Sequence, residues 1–232
     1  MKPQEPIRDY WQEFTQNGYV WIEKQSEAFV ESFVKRLGEV IFETDVSVKP
    51  ESKALVTSDK ALDFHTDHHK ADFILWYCVQ QTDVGGESIL LAADKAFAQL
   101  SPTQQAALSR IQLYEHQVFA DDKSHFPLIE VLNGVRKYYY SFWLADKNLP
   151  EDQKEALNTF QKAIKELQPI TLKLQTGDIL LIDNRRMLHG RSAIEGSKLR
   201  TLRRYWIRKH KPLIKDGFLY EPVSMFIIPL NP

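Results

Sequence analysis

The sequence predicts a mainly β protein with flanking helices, built as a sandwich or an open barrel. Three observations carry that reading. Short β-rich runs bounded by turn residues recur along the chain. Helical periodicity is confined to a few segments, most of them in the first half and one late. No internal repeat, low-complexity stretch or linker-like shift in composition divides the 232 residues. One domain over 1–232 is therefore expected, with a helix–strand–helix start at 8–38, a β core over about 40–208 and a tail at 209–232. Its composition, 43% hydrophobic and 12% aromatic, is sufficient for a packed core.

The elements follow in order. Residues 8–17 read as a short helix stopped by Asn17-Gly18, and YVWIE (19–23) as a strand. Phe29, Val30, Phe33, Val34 and Leu37 recur at helical spacing, closed by Gly38. Residues 40–57 predict irregular strands around Lys49-Pro50. FILWYCVQ (73–80) is apolar nearly throughout, as a central strand is. TDVGGES is a turn. The segments 90–100 and 101–111 read as helices, the second capped by Ser101 with Pro102 in its first turn. Strands are expected over 111–119, 126–133 and 136–144, the last two joined by a hairpin turn at Asn133-Gly134. Residues 150–167 form an amphipathic helix. ITLKLQ and ILLID, joined by TGD, predict another hairpin, and LRRYWIRK a last strand. The apolar, proline-containing tail from 211 is expected to pack against the body.

Charge and composition exclude several classes. The formal net charge is −1 and no basic run stands out, so nucleic acid is not an expected partner. No stretch approaches 18 apolar residues, and the polar N-terminus has no signal-like apolar segment, so no membrane association is expected. The single cysteine, Cys78, lies in an apolar run and reads as a buried thiol in a reducing, cytoplasmic setting.

The chemistry concentrates in two places. In ALDFHTDHHKAD (61–72), His65 and Asp67 are two apart, so on a strand they share a face, with His69 next along it. Two ligands hold a divalent ion poorly. The stretch DNRRMLHGR (183–191) supplies a third, His189. Two histidines and a carboxylate fit a facial triad, which leaves three coordination positions open for chemistry and, with N and O donors, suits Fe(II). Arg200 and Arg204 in RTLRR face one side of a strand and would hold a carboxylate-bearing molecule beside the metal.

HTD (65–67), GGES (85–88), DNRRMLHGR and RTLRR, in that order, resemble the iron- and 2-oxoglutarate-dependent oxygenases of the taurine dioxygenase and clavaminate synthase superfamily. The resemblance covers residues 62 to 208. It implies a double-stranded β-helix, the cupin-like jelly roll. It implies His65, Asp67 and His189 as Fe(II) ligands, with 2-oxoglutarate and O2 as cosubstrates. Arg204 would pair with the distal carboxylate of 2-oxoglutarate. Ser88 would donate a hydroxyl to that carboxylate, in place of the family's usual Thr. Arg200 would lie toward the other end of the cosubstrate or the O2 position. His69, Phe142, Trp143, Arg185 and Arg191 are candidate substrate contacts, and Asp183 a structural hydrogen-bonding group.

The implied activity is oxidation, most readily hydroxylation, of an unactivated C–H of a small metabolite, with release of succinate and CO2. Asp67 keeps the carboxylate that related halogenases lack. A free amino acid is the first substrate choice, although Asp146 is the only carboxylate near 138–146 to clamp a cationic side chain. Two rival readings are a zinc hydrolase using HTDHH and a silent jelly-roll binding protein. The first gives RTLRR no task, and the second would have a broken triad or a missing arginine.

Overall fold

A computed structural model describes residues 10–49, 52, 54–209, 213–215 and 218–220. The chain begins with α1 (Tyr10–Asn17), β1 (Tyr19–Ile22), α2 (Glu27–Leu37) and β2 (Gly38–Ser47). A 3-10 turn at Leu55–Thr57 leads into β3 (Leu62–His65), β4 (Phe73–Gln80) and β5 (Ser88–Ala92). Then come α3 (Ala93–Phe97), α4 (Pro102–Leu108), β6 (Gln112–Tyr114), β7 (His125–Pro127), β8 (Ile129–Leu132) and β9 (Val135–Tyr138). A 3-10 turn at Phe142–Leu144 precedes α5 (Glu151–Glu166), β10 (Ile170–Leu172), β11 (Ile179–Asp183), β12 (Met187–Arg191) and β13 (Thr201–Lys209). The short strands β14 (Leu213–Lys215) and β15 (Phe218–Tyr220) pair with each other. The expected packing of the rest of the tail, and the start of the first helix at residue 8, lie outside the described residues.

Two antiparallel sheets form the body, in the orders β1-β11-β4-β13-β2 and β10-β5-β12-β3. This is the jelly roll. Strand alternation builds its layers. Ile74, Trp76 and Cys78 of β4, Leu180 and Ile182 of β11 and Leu202 and Trp206 of β13 point between the sheets. Their neighbours Phe73, Leu75, Tyr77, Ile179, Leu181, Tyr205 and Ile207 face outward and are covered by α1 and α2 through Phe14, Phe33 and Leu37. The small sheet turns Leu91 and Leu188 outward, against a third cluster made by α3, α4, α5 and the β8–β9 region. Cys78 is fully buried, and burial pushes its thiol up to about 11, so it is an inert packing group.

Four expectations are corrected. Residues 90–92 are strand, not helix: Leu90 and Leu91 are buried on opposite faces of β5, between β10 and β12, and the helix begins only at Ala93. Residues 40–47 are one continuous edge strand on β13 rather than irregular pieces. The run 136–144 leaves strand geometry at Tyr138 and turns 3-10 at Phe142. Finally, β10 and β11 are not a hairpin; they belong to different sheets. The TGD corner crosses between the sheets, with the Asp178 carboxylate accepting from Trp21 Nε1 at 2.9 Å, Lys24 N at 3.0 Å and Gln175 N at 2.8 Å.

Candidate active site

His65 and His189 are directly opposite across the β3–β12 pair. The register shifts beside them, and both Leu62 and His65 of β3 border the space between the sheets. Gly190 makes this approach possible, since a Cβ there would sit 2.5 Å from the Leu62 carbonyl. The two imidazole centroids lie 4.3 Å apart, and Trp76 stands edge-on to His189 at 4.9 Å.

Asp67 reaches the same point from a turn, because β3 ends at His65. Asn184 of the DNRR motif ties that turn down. Its carbonyl accepts from Asp67 N at 2.9 Å, and its amide donates to His68 O at 3.1 Å, Ala71 O at 3.0 Å and, more weakly, Asp67 O at 3.4 Å. Thr66 fixes the other side, donating its amide to Tyr140 O and accepting from Tyr140 N through Oγ1. Asn184 and Thr66 are both fully buried. Neither role was legible from sequence; a motif match says nothing about which side chain turns back on the backbone.

The three groups converge without bonding to one another. His65 Nε2 and His189 Nε2 each stand 3.9 Å from Asp67 Oδ1, too far for a hydrogen bond. His65 Nδ1 faces Asp63 O at 2.9 Å, so its proton sits there and the Nε2 lone pair is aimed at Asp67 Oδ1. The other carboxylate oxygen, Oδ2, accepts from Trp206 Nε1 at 2.8 Å and from Arg204 Nη1 at 3.0 Å. This donor set, two imidazole nitrogens and one carboxylate oxygen within 4.8 Å of one another, fits a divalent ion. Burial pushes the Asp67 carboxyl up, but Arg204 above all, with His189, His65 and the Trp206 N–H, outweighs it and holds it at about 2. Burial, then the neighbouring His65, pushes His189 down to about 3, and burial lowers His65 as well. All three donors are therefore in their metal-binding protonation states at neutral pH.

A cavity between the sheets opens from the histidines, lined by Ser88, Arg191, Arg200 and Arg204 and walled by apolar side chains including Leu90 and Leu202. Arg200 is 4% exposed and precedes β13 rather than lying on it. Its Nε donates to Gly86 O at 2.9 Å, and its Nη groups have no hydrogen-bond partner among the described residues. Ser88 Oγ is likewise without a partner among them and lines the same cavity. Arg204, by contrast, is engaged with Asp67.

The remaining candidates divide. Trp143 is 40% exposed with its ring 5.3 Å from that of His65. His116, which the sequence reading missed, stands 6.1 Å from Trp143. Phe142 instead packs on the α5 side, with Tyr140 and Ile164. His69 does not share the metal face: with the strand ended at His65, its ring stacks on Phe126 at 3.5 Å and its Nε2 contacts Glu115 Oε1. Arg185 is likewise corrected. Three of its five N–H groups are given to Tyr138 O, His69 O and Glu130, and it is not among the side chains that line the cavity. Arg191 lines the cavity but donates to the carbonyls of Val56, Ser58 and Lys60. Asp183 caps its own turn by accepting from Arg185 N at 3.1 Å. Among the described residues no helix is long and apolar enough to cross a membrane.

Comparisons agree with this geometry. A taurine hydroxylase-like protein of Stachybotrys chartarum is 29% identical over 161 residues, 63% of this chain. The chain spans 41% of that relative's length. Among solved structures, an asparagine oxygenase in complex with Fe(II), 2S,3S-3-hydroxyasparagine and succinate superposes with a TM-score of 0.70 at 15% identity, over 85% of this chain and 77% of that one. A mutant of the non-heme iron oxygenase OrfP, in complex with (3S)-hydroxy-L-Arg, gives 0.71 at 16%, over 89% and 81%. At these identities the likeness is one of fold. The family described as taurine catabolism dioxygenase TauD, TfdA matches residues 5–206, a span that contains all of the two sheets but the end of β13, the histidine–aspartate–histidine group and both arginines, and the chain belongs to that family.

Proposed function

We propose that the protein is an Fe(II)- and 2-oxoglutarate-dependent dioxygenase that hydroxylates an unactivated C–H of a small metabolite, with a free amino acid as the first class to test. The observation that carries this is Arg200. A guanidinium this buried, with Nη groups that make no hydrogen bond and no ion pair among the described residues and that border a cavity, is suited to receive an anion. It faces the same cavity as Ser88 and the His65–Asp67–His189 group. A dicarboxylate that chelates a metal at one end would supply that anion at the other. The solved OrfP structure in complex with Fe and alpha-ketoglutaric acid supports the same pairing of cofactors. Hydroxylated amino acids in the asparagine oxygenase and OrfP complexes support the substrate class.

His65, Asp67 and His189 would hold the iron, which with 2-oxoglutarate and O2 supplies the oxidising power for C–H cleavage. The chain's own tasks are positional. Asp63 O fixes the His65 tautomer. Trp206 and Arg204 hold Asp67 Oδ2, which orients Oδ1 toward the two imidazoles. Arg200 and Ser88 would take the distal carboxylate, and Arg204 would stay beside the metal carboxylate. This reverses the roles that the resemblance implied for the two arginines. Apolar walls keep water from the reacting carbon. Trp143 and His116 would face the substrate on the His65 side. A zinc hydrolase would leave Arg200 and Ser88 without a task.

The test is an anaerobic titration with Fe(II), then 2-oxoglutarate, followed in the visible spectrum. A weak charge-transfer band is expected that His189→Ala abolishes. Succinate release is then scored across the free amino acids. Metal binding without a band would sink the cosubstrate assignment.

A further inference from the structure

A second group of metal-ligating side chains lies outside this site. His68 and His69 follow the HTD motif, and Glu115 and Asp122 come from the loop between β6 and β7. His68 Nε2, His69 Nε2 and Glu115 Oε1 lie within 4.8 Å of one another. His68 is fully buried, and its Nε2 faces Asp122 Oδ2 at 3.2 Å and Glu115 Oε1 at 3.7 Å. It makes a hydrogen bond to neither. The ring is thus aimed between two carboxylate oxygens, where a cation would sit. His69 Nε2 contacts the same Glu115 oxygen.

The outer atoms are already held, as they are around bound metals. Lys123 N donates to Glu115 Oε2, and Lys70 Nζ donates to Asp122 Oδ1 at 2.6 Å. Asp122 Oδ2, the oxygen nearest His68, itself accepts from Val118 N and Phe119 N, so Asp122 stays tied to its own loop. Two carboxylates and two imidazoles therefore meet with one lysine to balance them, and buried charges of this kind are paired or bind metal.

We propose that His68, His69 and Glu115 form a second metal site for a Zn2+-type ion, distinct from the catalytic group, that pins the 115–123 loop to the HTDHHK turn, with Asp122 beside it. Two N donors and one carboxylate O, with a water as the fourth ligand, suit tetrahedral Zn2+. The loop carries His116 toward Trp143, whose ring lies beside His65, so the ion would hold that side of the metal-ligating group in place. Two contacts must change on loading, the first being the His69 Nε2–Glu115 Oε1 hydrogen bond, which must open and give up its proton to admit the ion. The second is at His68, whose Nδ1 accepts from Lys70 N at 3.2 Å, and a metal at Nε2 requires the proton on Nδ1. The Lys70 amide must then let go.

The experiment uses His189→Ala, which removes the first site, titrated with Co2+ and then Zn2+. The expected result is one equivalent of Co2+ with the intense visible absorption of tetrahedral coordination, bleached by Zn2+ and lost on adding Glu115→Gln. In the unmutated protein, Zn2+ should protect the bond after Lys123 from trypsin, EDTA should reverse this, and the Lys70 amide resonance should shift. No stoichiometric Co2+ in His189→Ala, or no protection at Lys123, overturns the proposal. Either failure leaves the Fe(II)–2-oxoglutarate band of the unmutated protein unaffected, so the two readings fail separately.

Discussion

Replacing Arg200 by Met separates a side chain kept for its ligand from one kept for the fold. Arg200 is 4% exposed, and burial first, then the neighbouring Arg191, pushes its guanidinium down to about 10 from 12.5. That difference corresponds to about 3 kcal/mol spent on keeping the charge inside the fold. Methionine removes this cost but leaves Gly86 O without its donor, a loss of about 1–3 kcal/mol. Without ligands, the Arg200→Met protein should therefore be as stable as the parent or gain up to about 2 kcal/mol, a rise in Tm of up to about 6 °C. Affinity should move the opposite way. Losing two charge-assisted hydrogen bonds to a carboxylate costs at least about 3 kcal/mol, which raises the 2-oxoglutarate Kd about 100-fold or more. Thermal unfolding without metal or cosubstrate, and titration of the Fe(II)–2-oxoglutarate band, measure the two quantities. A variant clearly less stable than the parent that binds 2-oxoglutarate normally would refute the reasoning.

Three other outcomes follow from the same geometry. Asn184→Ala strips four hydrogen bonds from the turn that carries Asp67; it should cost about 2–4 kcal/mol in urea unfolding and weaken Fe(II) binding about 10-fold or more. Gly86→Ala places a Cβ 2.9 Å from Arg200 Cδ on a backbone with φ of +71°; the strain and the displaced guanidinium should raise the 2-oxoglutarate Kd about tenfold, with the iron site intact by its Fe(II) affinity. Because His189 is held near 3 and His65 is lowered, neither needs to lose a proton to bind metal at neutral pH. Two ordinary histidines would lose about 70-fold in metal affinity between pH 7 and 5.5, and this site should lose far less, as read from the same band. A 70-fold loss would show that the histidines titrate normally.

The candidate ligands were legible because a metal site needs particular atoms, and few residue types carry them. His65, Asp67 and His189 stand out by chemistry before any fold is known. The geometry joining them did not. Alternation on a strand put His69 beside Asp67, but the strand stops at His65 and Asn184 bends the chain away. Equal spacing likewise made Arg200 and Arg204 interchangeable. Only the register of β13 shows that Arg204, two residues before Trp206, is drawn to Asp67 while Arg200 stays at the Gly86 end. The TGD turn looked like a hairpin because turn chemistry records a change of direction and not which sheet the chain enters next. Residues 90–92 looked helical because the Ala-rich stretch after them is helical. Arg185 and Arg191 looked available for the same reason that buried arginines often do. Their partners are backbone carbonyls and, for Arg185, the distant Glu130 carboxylate, and sequence carries no sign of those.

The charge balance of the cavity bears on the order of binding. Three guanidinium groups, Arg191, Arg200 and Arg204, line it, against the one carboxylate of Asp67 at its metal end. A divalent cation added alone would increase an existing excess of positive charge. A dianion such as 2-oxoglutarate would offset that excess, and the two together leave the sum unchanged. Each should therefore tighten the other's binding, by a factor that is the same in both directions. Asp67 also joins the two halves of the sandwich. Oδ1 faces histidines of the small sheet, Oδ2 accepts from Trp206 of the large one, and Arg204 Nη1 donates to both oxygens. A metal drawn to the first oxygen would tighten the contact between sheets that enclose the cavity holding Arg200. Iron loading and cosubstrate affinity are on this argument one coupled equilibrium, carried by a single carboxylate.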